Sequence, residues 1–495
     1  MAPSAVTVRQ TLKANVNLLI PNLCWFDWLR PWFVRTDELA TAVTGTDGRF
    51  AATVFYPRFG DHPDLYFWIE APVAGVLTTV YRPSILCHTW WDYACGTDVT
   101  LRVTDPRVHG CGDQNTVLGK VVILRGVGGG ISAGEILRSS AGTREGLSPD
   151  AVLAGLDSPF GATLDLRAEF GTGLVAAGIT HYRWSVRPVG GSDADWQILT
   201  LPVLRYYETN TSPPQYKSVK IGPDENVAGF LTQLDPPEPP DFADWHPLED
   251  HIDQATGYFD TTAVAGGPES SGQFELKLEL FKPVGGNMVA VNWTADGIGA
   301  FQVEQPAPFG GATVTPVSLA AVTTNDRLWF DSSGDVVGIR LLLQVDNRPC
   351  SGSIGDVTVD SAAAGRCGFL EYASGTASAR LTFDAGQPGG FAWFDFATVR
   401  VATGLPSASA SGLVTDAAAN GFARTGTTFG KDLSVAALLA EGVPVSETPC
   451  TRSAFAEVLH VFASATDGDR RLDYLDAPRG GEVGTRAFAI EPTDP

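Results

Sequence analysis

At 495 residues and 44% hydrophobic content, the chain can fill about three cores of ordinary size, which excludes a disordered protein. Its 56 acidic residues against 34 basic ones give a formal charge of -22 with no dense Lys/Arg run, which repels nucleic acid and anionic membrane on average, so no nucleic-acid partner and no membrane insertion are expected. No apolar run approaches the roughly 20 residues that span a bilayer, and 54 glycines with 33 prolines favour many short strands joined by turns.

Met1 to Gln10 lacks a basic segment followed by an apolar one, so an extracellular or cell-surface location is expected to use a route other than a classical signal peptide. A cytoplasmic location is the other reading. From Leu23 the chain reads Leu-Cys-Trp-Phe-Asp-Trp, and Ala40 to Val43 then lead into Thr46-Asp47-Gly48-Arg49-Phe50. Asp47 can bond its own backbone and Gly48 accepts positive φ, so the pair marks the tip of a β-hairpin. Pro63-Asp64-Leu65-Tyr66-Phe67-Trp68-Ile69 follows as another strand. This order of parts resembles the carboxypeptidase-regulatory-like or transthyretin-like β-sandwich modules of bacterial proteins. The resemblance covers roughly residues 5 to 105 of an expected domain 1–105, and it implies a scaffold, adhesive or assembly role without a catalytic set. The remainder is similar only to uncharacterised bacterial β-rich proteins.

Residues 106–154 read as a connector. It holds a buried-type strand, Lys120 to Leu124, a glycine run, Gly128 to Gly130, and a short helix capped by Ser148 with Pro149 in its first turn. From Pro159 the period becomes two. Leu164, Leu166, Ala168 and Phe170 alternate with polar residues, as do Tyr182, Trp184 and Val186, then Phe274, Leu276, Leu278 and Leu280. Residues 155–305 therefore read as a second β-sandwich, interrupted by a stiff acidic strap, Asp235-Pro-Pro-Glu-Pro-Pro-Asp241. Pro306 to Gly311 marks the next boundary, and 306–495 reads as a third sandwich. Its signals are Val337 to Val345, then Leu381 with Phe383, then Phe394 with Phe396. Ser407 to Thr428 reads as a loop, Ser434 to Leu439 as a helical turn or two, and Ser453 to Ala465 as a strand.

Several constellations carry possible chemistry. Gly130-Ile131-Ser132-Ala133-Gly134 matches the G-x-S-x-G elbow of serine hydrolases, without the alternating strand and helix that build one. Gly128, Gly130 and Ala133 fit a relaxed dinucleotide fingerprint, again without a βαβ unit. Cys87, His88, Cys95, His109 and Cys111 supply zinc-type ligands but no C-x-x-C pair. His246 and His251, with Glu249, Asp250 and Asp253, form a polar cluster suited to acid/base work or to a solvated loop. Asp467, Asp469, Asp473 and Asp476, with Asp346 and Asn347, are the candidate oxygen ligands for calcium, although the full calcium-loop motif is absent. No other cofactor is expected.

The cysteines number seven, too few to serve as a scaffold. Cys87–Cys95 and Cys350–Cys367 are the candidate local disulfides, Cys24 with Cys111 is a third pairing, and buried thiols are the alternative. Trp25, Trp28, Trp32, Trp90 and Trp91 crowd the N-terminal part, and alternating strand sides cannot bury the adjacent pair in one core. They are the candidate interaction surface. The expected fold is all-β, three consecutive sandwiches with a few short helices. The expected function is a non-enzymatic structural or adhesive protein, a self-assembling homo-oligomer or polymer. Binding of a glycan or host protein through the Trp-rich loops, and a hydrolase at Ser132, are the alternatives.

Overall fold

The computed structural model describes residues 39–44, 50–52, 65–73, 76–82, 89–90, 99, 101, 103, 119–136, 145–149, 156–212, 215–225, 229–245, 255–264, 266–305, 313–319, 326–365, 369–440, 450–477 and 485–493. The all-β expectation holds, and these residues form two large β-sandwiches. Of the expected N-terminal sandwich the described part is a hairpin, Ile69–Val73 with Val76–Tyr81, and the short pair Leu65–Tyr66 with Thr89–Trp90. The Asp47-Gly48 turn lies outside the described residues.

The first complete sandwich contains β1 (Val122–Val127), β2 (Thr163–Phe170), β3 (His181–Pro188), β4 (Ser271–Val284), β5 (Ala300–Gln305) and β6 (Val336–Asp346). One sheet is six-stranded, in the order Gly257–Asp260, β2, β1, β5, Thr313–Ser318, with Ile131–Ser132 added to β1. The other is seven-stranded and runs Gln197–Ile198, β3, β4, β6, Leu328–Phe330, with two short strands at its sides. All pairs are antiparallel except β1 with β5. The period-two residues behave as their pattern requires. Leu164, Leu166, Trp184, Leu276, Leu278, Ile339 and Leu341 all enter the core between the sheets, each fully buried aliphatic or aromatic side chain contributing about 1.5–3 kcal/mol.

Two expected boundaries are corrected here. Val122–Val127, placed in a connector by its sequence, pairs on both sides and is an inner strand of the six-stranded sheet. Nor does the chain change domain at Pro306. β6 pairs with β4 from Ser271–Asp346 to Glu279–Gly338, so strands on both sides of 306 share one sheet. The loop at 306 looked like a linker because prolines and glycines punctuate any connection, within a domain or between two. The expected helix at Ser148 is also corrected in its first turn, where Ser148–Pro149 pairs as a short strand with Asp157–Ser158.

The second sandwich begins after Asp346. It contains β7 (Ser378–Gly386), β8 (Ala392–Arg400), β9 (Pro406–Leu413), β10 (Thr428–Ser434), β11 (Ser453–Ala463) and β12 (Thr485–Pro492). One sheet is seven-stranded around β7 and β10; the other is five-stranded, in the order Phe369–Tyr372, β12, β11, β8, β9. Its core is a phenylalanine stack. The Phe383 ring lies 4.4–5.5 Å from those of Phe394, Phe396, Phe422 and Phe429. Residues 407–428, expected as a loop, supply β9 and the strand Phe422–Thr425 instead. Alanine and serine carry little strand propensity, but Ala408 and Ala410 are small enough to close beneath the aromatic stack. The expected helix is Val435–Ala440, and Ser453–Ala463 is the strand expected there.

Backbone hydrogen bonds fuse the two sandwiches. Phe160 N–H donates to Gln344 O at 2.7 Å and Asp346 N–H to Phe160 O at 2.9 Å, on the first sandwich. Gly161 N–H donates to Thr466 O and Thr466 N–H to Pro159 O, each at 2.9 Å, on the second. Asn347, 2% exposed, pins the junction: its amide donates to Thr261 Oγ1 and Ser270 Oγ at 2.8 and 2.9 Å, and its carbonyl accepts from Ala162 N–H at 2.8 Å.

Candidate functional site

The glycine run that resembles a nucleotide or hydrolase motif serves this junction. Gly130 N–H donates to Gly468 O at 2.9 Å and Gly129 N–H to the Asp469 carboxylate at 2.8 Å. A Cβ on Gly128 would stand 2.5 Å from the Gly468 backbone, and one on Gly468 would stand 2.6 Å from Val127 O. Only glycines allow two backbones so close, and both also hold positive φ. Ser132 ends the short strand Ile131–Ser132 and leads into a turn rather than a helix. It is 7% exposed, and its hydroxyl and backbone N–H both donate to Glu135 Oε2, at 2.9 and 2.7 Å.

A cluster of aromatic and charged groups lies on an arm that leaves the seven-stranded sheet after Gln197–Ile198. Strands Tyr216–Gly222, Val203–Thr209 and Phe242–Trp245 form a three-stranded sheet in that order. The proline strap delivers the last of them, and Phe242 N–H closes its end on Pro239 O at 3.0 Å. Tyr207 and Trp245 are cross-strand partners, their rings 6.0 Å apart, with Phe242 4.7 Å from Trp245 and the Arg205 guanidinium 4.5 Å over Trp245. Asp241, last residue of the strap, accepts from Tyr207 OH at 3.0 Å and from Lys217 Nζ at 2.6 Å. The Lys217 bond holds the Asp241 carboxyl below the usual carboxylate range and raises the lysine in turn. Aromatic faces beside fixed donors and acceptors suit a ligand with flat apolar faces and a polar rim.

On the outer face of the seven-stranded sheet, Glu279 pairs with Arg183 at 2.8 Å and with Lys277 at 3.1 Å. Glu275 pairs with Arg187 at 3.3 Å and with Arg340 at 3.2 Å. Trp196 and Trp329 meet edge to face at 5.2 Å, with Arg187 4.6 and 4.8 Å from their rings. The glutamate side chains are at most 9% exposed, so the indoles and cations cover them. This layer closes a face; it leaves little charge for a ligand.

No family model and no curated protein matches the chain. A solved structure described as giving insight into host cell surface retention of a 1.5-MDa bacterial ice-binding adhesin aligns over 76% of this chain and 99% of its own, at 9% identity and a TM-score of 0.15. A score that low carries no argument.

The other sequence candidates are distributed as follows. Asp467 accepts from the N–H groups of Asp469 and Arg470, both at 2.9 Å, Asp476 pairs with Arg471, and Asp346 accepts from Arg348 Nε at 2.9 Å and Gln387 at 3.1 Å. These candidate calcium ligands thus sit in separate hydrogen-bonding pairs, and among the described residues no group of three or more His, Cys, Asp or Glu converges. Cys350 is a buried free thiol among core residues, its pKa pushed up to about 12 by burial, which corrects the bridge expected to Cys367. Cys450 is free and exposed. Cys24, Cys87, Cys95, Cys111 and Cys367 lie outside the described residues, as do His88, His109, His246, His251, Trp25, Trp28, Trp32 and Trp91. Trp90 is described as a backbone partner of Leu65.

One group that sequence reasoning missed is Glu457. It belongs to the inward-facing set Phe455, Leu459 and Val461 on β11 and is 0% exposed. Neither carboxyl oxygen makes a hydrogen bond in good geometry, nor does the hydroxyl of Thr398, its cross-strand neighbour. Burial pushes its pKa up to about 8, with Thr398 pulling weakly the other way. Nearby cations are engaged elsewhere: Arg400 donates to Leu439 O at 2.6 Å, and Arg486 to Ile354 O at 3.3 Å and to Asp356. The strand pattern marked the position as inward; only its glutamate breaks the pattern.

Proposed function

We propose that this chain is a non-enzymatic structural or adhesive protein that acts by surface contact, as a self-assembling subunit outside the cell or at its surface. The observation that carries this reading is the double attachment of residues 159–161, whose backbone bonds both sandwiches and makes one stiff body of them. A stiff body suits a part that transmits force or sets spacing. The glycine motif supports it too, since its amides are spent on the clasp. Electron microscopy and light scattering of the purified chain test it: filaments, rings or arrays are expected, and a monodisperse monomer at all concentrations would refute self-assembly.

The arm favours a second reading, binding of a glycan or a protein partner. Trp245 and Phe242 are half-buried beside Lys217 and Asp241. Here the platform differs from the N-terminal tryptophans that the sequence singles out. Screening immobilised glycans with wild-type and Trp245→Ala protein tests it. Saturable binding lost in the variant supports a glycan site, and equal binding by both removes the arm from consideration.

A further inference from the structure

Arg205 stands on Val203–Thr209, the central strand of the arm's three-stranded sheet, and it has no anion. Its Nε is sealed from water and makes no hydrogen bond. Arg183, Arg187, Arg340, Arg400 and Arg424 also have a sealed, unbonded Nε, but each uses a terminal nitrogen to bond a carboxylate or a carbonyl. Among the described residues, no hydrogen bond or ion pair reaches Arg205. The chain carries 56 acidic residues, so the missing partner is not a matter of supply. A charge taken out of water without a partner is costly. Burial accordingly holds the Arg205 guanidinium below the usual arginine range, with Asp235 acting against it from beyond ion-pair distance and the buried Tyr182 hydroxyl acting weakly in the same sense as Asp235.

The surroundings are arranged around that charge. Tyr207 is in register with Lys217 on one side and Trp245 on the other, and Arg205 lies two residues from Tyr207, so these four side chains share one face of the arm. Glu208 and Asp244 are paired with each other and alternate with Tyr207 and Trp245, which puts them on the opposite face. On the shared face Lys217 and Asp241 neutralise one another at 2.6 Å, and Arg205 remains as the unpaired charge. Its guanidinium lies 4.5 Å over the Trp245 ring, which fixes the position of the charge. Only Nε is sealed and the residue is half-buried, so the two terminal nitrogens reach solvent. A planar fork held in this way matches the two oxygens of a carboxylate.

We infer that the arm binds a glycan through a sugar that bears a carboxylate, a uronic or sialic acid unit, with the carboxylate on the terminal nitrogens of Arg205. This inference deepens the glycan reading of the arm and rests on it. The sugar ring then lies beside Trp245 and Phe242, and its hydroxyls meet the Lys217 ammonium and the Asp241 carboxylate, a donor and an acceptor already fixed in place. Phe242–Trp245, an edge of the arm's sheet, is four residues long and contains Asp244, which blunts it against a peptide added as a further strand. Net charge narrows the ligand as well. A chain at -22 repels a dense polyanion, whereas one unpaired guanidinium suits one carboxylate at short range.

Titration calorimetry on the full chain tests it, with oligogalacturonate and sialyllactose as probes, each as the free acid and as its carboxyl methyl ester, and lactose as the neutral control. At least one acid should bind about tenfold or more tighter than its own ester, which keeps the ring and removes the charge. Which acid does so separates the uronic from the sialic source. Arg205→Gln should abolish the difference between acid and ester while leaving the ester's binding as it was, and Arg205→Lys, which keeps the charge without the planar fork, should restore only part of it. The comparison of acid with ester needs the wild-type chain alone, so it decides the matter even where a variant fails to fold. Equal binding of acid and ester, lost in Trp245→Ala, would overturn the carboxylate and leave the glycan site standing. No binding of any sugar would overturn both, and a Trp245-dependent complex with a peptide ending in a free carboxylate would then assign the arm to a protein partner.

Discussion

The carboxyl of Glu457 makes the stability of the second sandwich depend on pH in a direction opposite to ordinary acid denaturation. Its pKa rises from the ordinary 4.5 to about 8 on folding. Below about pH 4.5 the folded and unfolded states both hold the proton, and this site's contribution is complete. As pH climbs, the unfolded chain releases its proton while the folded one keeps it, so the unfolded state gains. Stability then falls by about 1.4 kcal/mol per pH unit and levels off above about pH 8, a total loss of about 3–5 kcal/mol. Glu457→Gln keeps the shape and removes the ionisation. Urea unfolding followed by signals from the second sandwich, at intervals from pH 5 to pH 9, should show the variant close to wild type at pH 5 and more stable by several kcal/mol at pH 8.5. Parallel pH profiles for the two proteins would refute the reasoning, because they would mean that the carboxyl ionises equally in both states.

Gly468→Ala should wedge the clasp apart, since its Cβ would meet Val127 O at 2.6 Å at a φ of 99°; a loss of about 2–3 kcal/mol and new proteolytic cleavage between the sandwiches are expected, read by limited proteolysis. Phe383→Ala removes the ring at the centre of the phenylalanine stack and should cost about 3–5 kcal/mol in chemical denaturation of the second sandwich while the first unfolds as before. Ser132→Ala loses its bond to Glu135 and should cost about 1 kcal/mol in the first sandwich; esterase or peptidase turnover that disappears with this change would revive the hydrolase reading.

Much of the strand content was legible because a strand's period of two is local. Leu164 to Phe170, Tyr182 to Val186, Phe274 to Leu280 and Val337 to Val345 each declared an inward face, and each lies on a strand that buries it. Ser407 to Thr428 reads as a loop in sequence, since alanine and serine pattern weakly, and only pairing with β8 and burial of Ala408 and Ala410 in the phenylalanine core make a strand of its first part. The candidate site was less legible. Tyr207, Phe242 and Trp245 stand far apart in sequence, and only the return of the strap brings them together. Asp467 and Asp469 read equally well as metal ligands and as turn formers, because both roles use the same carboxylate.

By itself, then, the sequence determined the all-β class, the strongly acidic net charge, and which face of most strands turns inward. Tertiary structure decided which strands are neighbours, that the domain changes after Asp346 rather than at Pro306, and that Gly128–Gly130 meets Gly468. Side-chain alternation is written into consecutive residues, whereas pairing joins residues such as Ser271 and Asp346 that no local pattern connects. The same reason hides the buried glutamate. Burial of Glu457 depends on the strands around it.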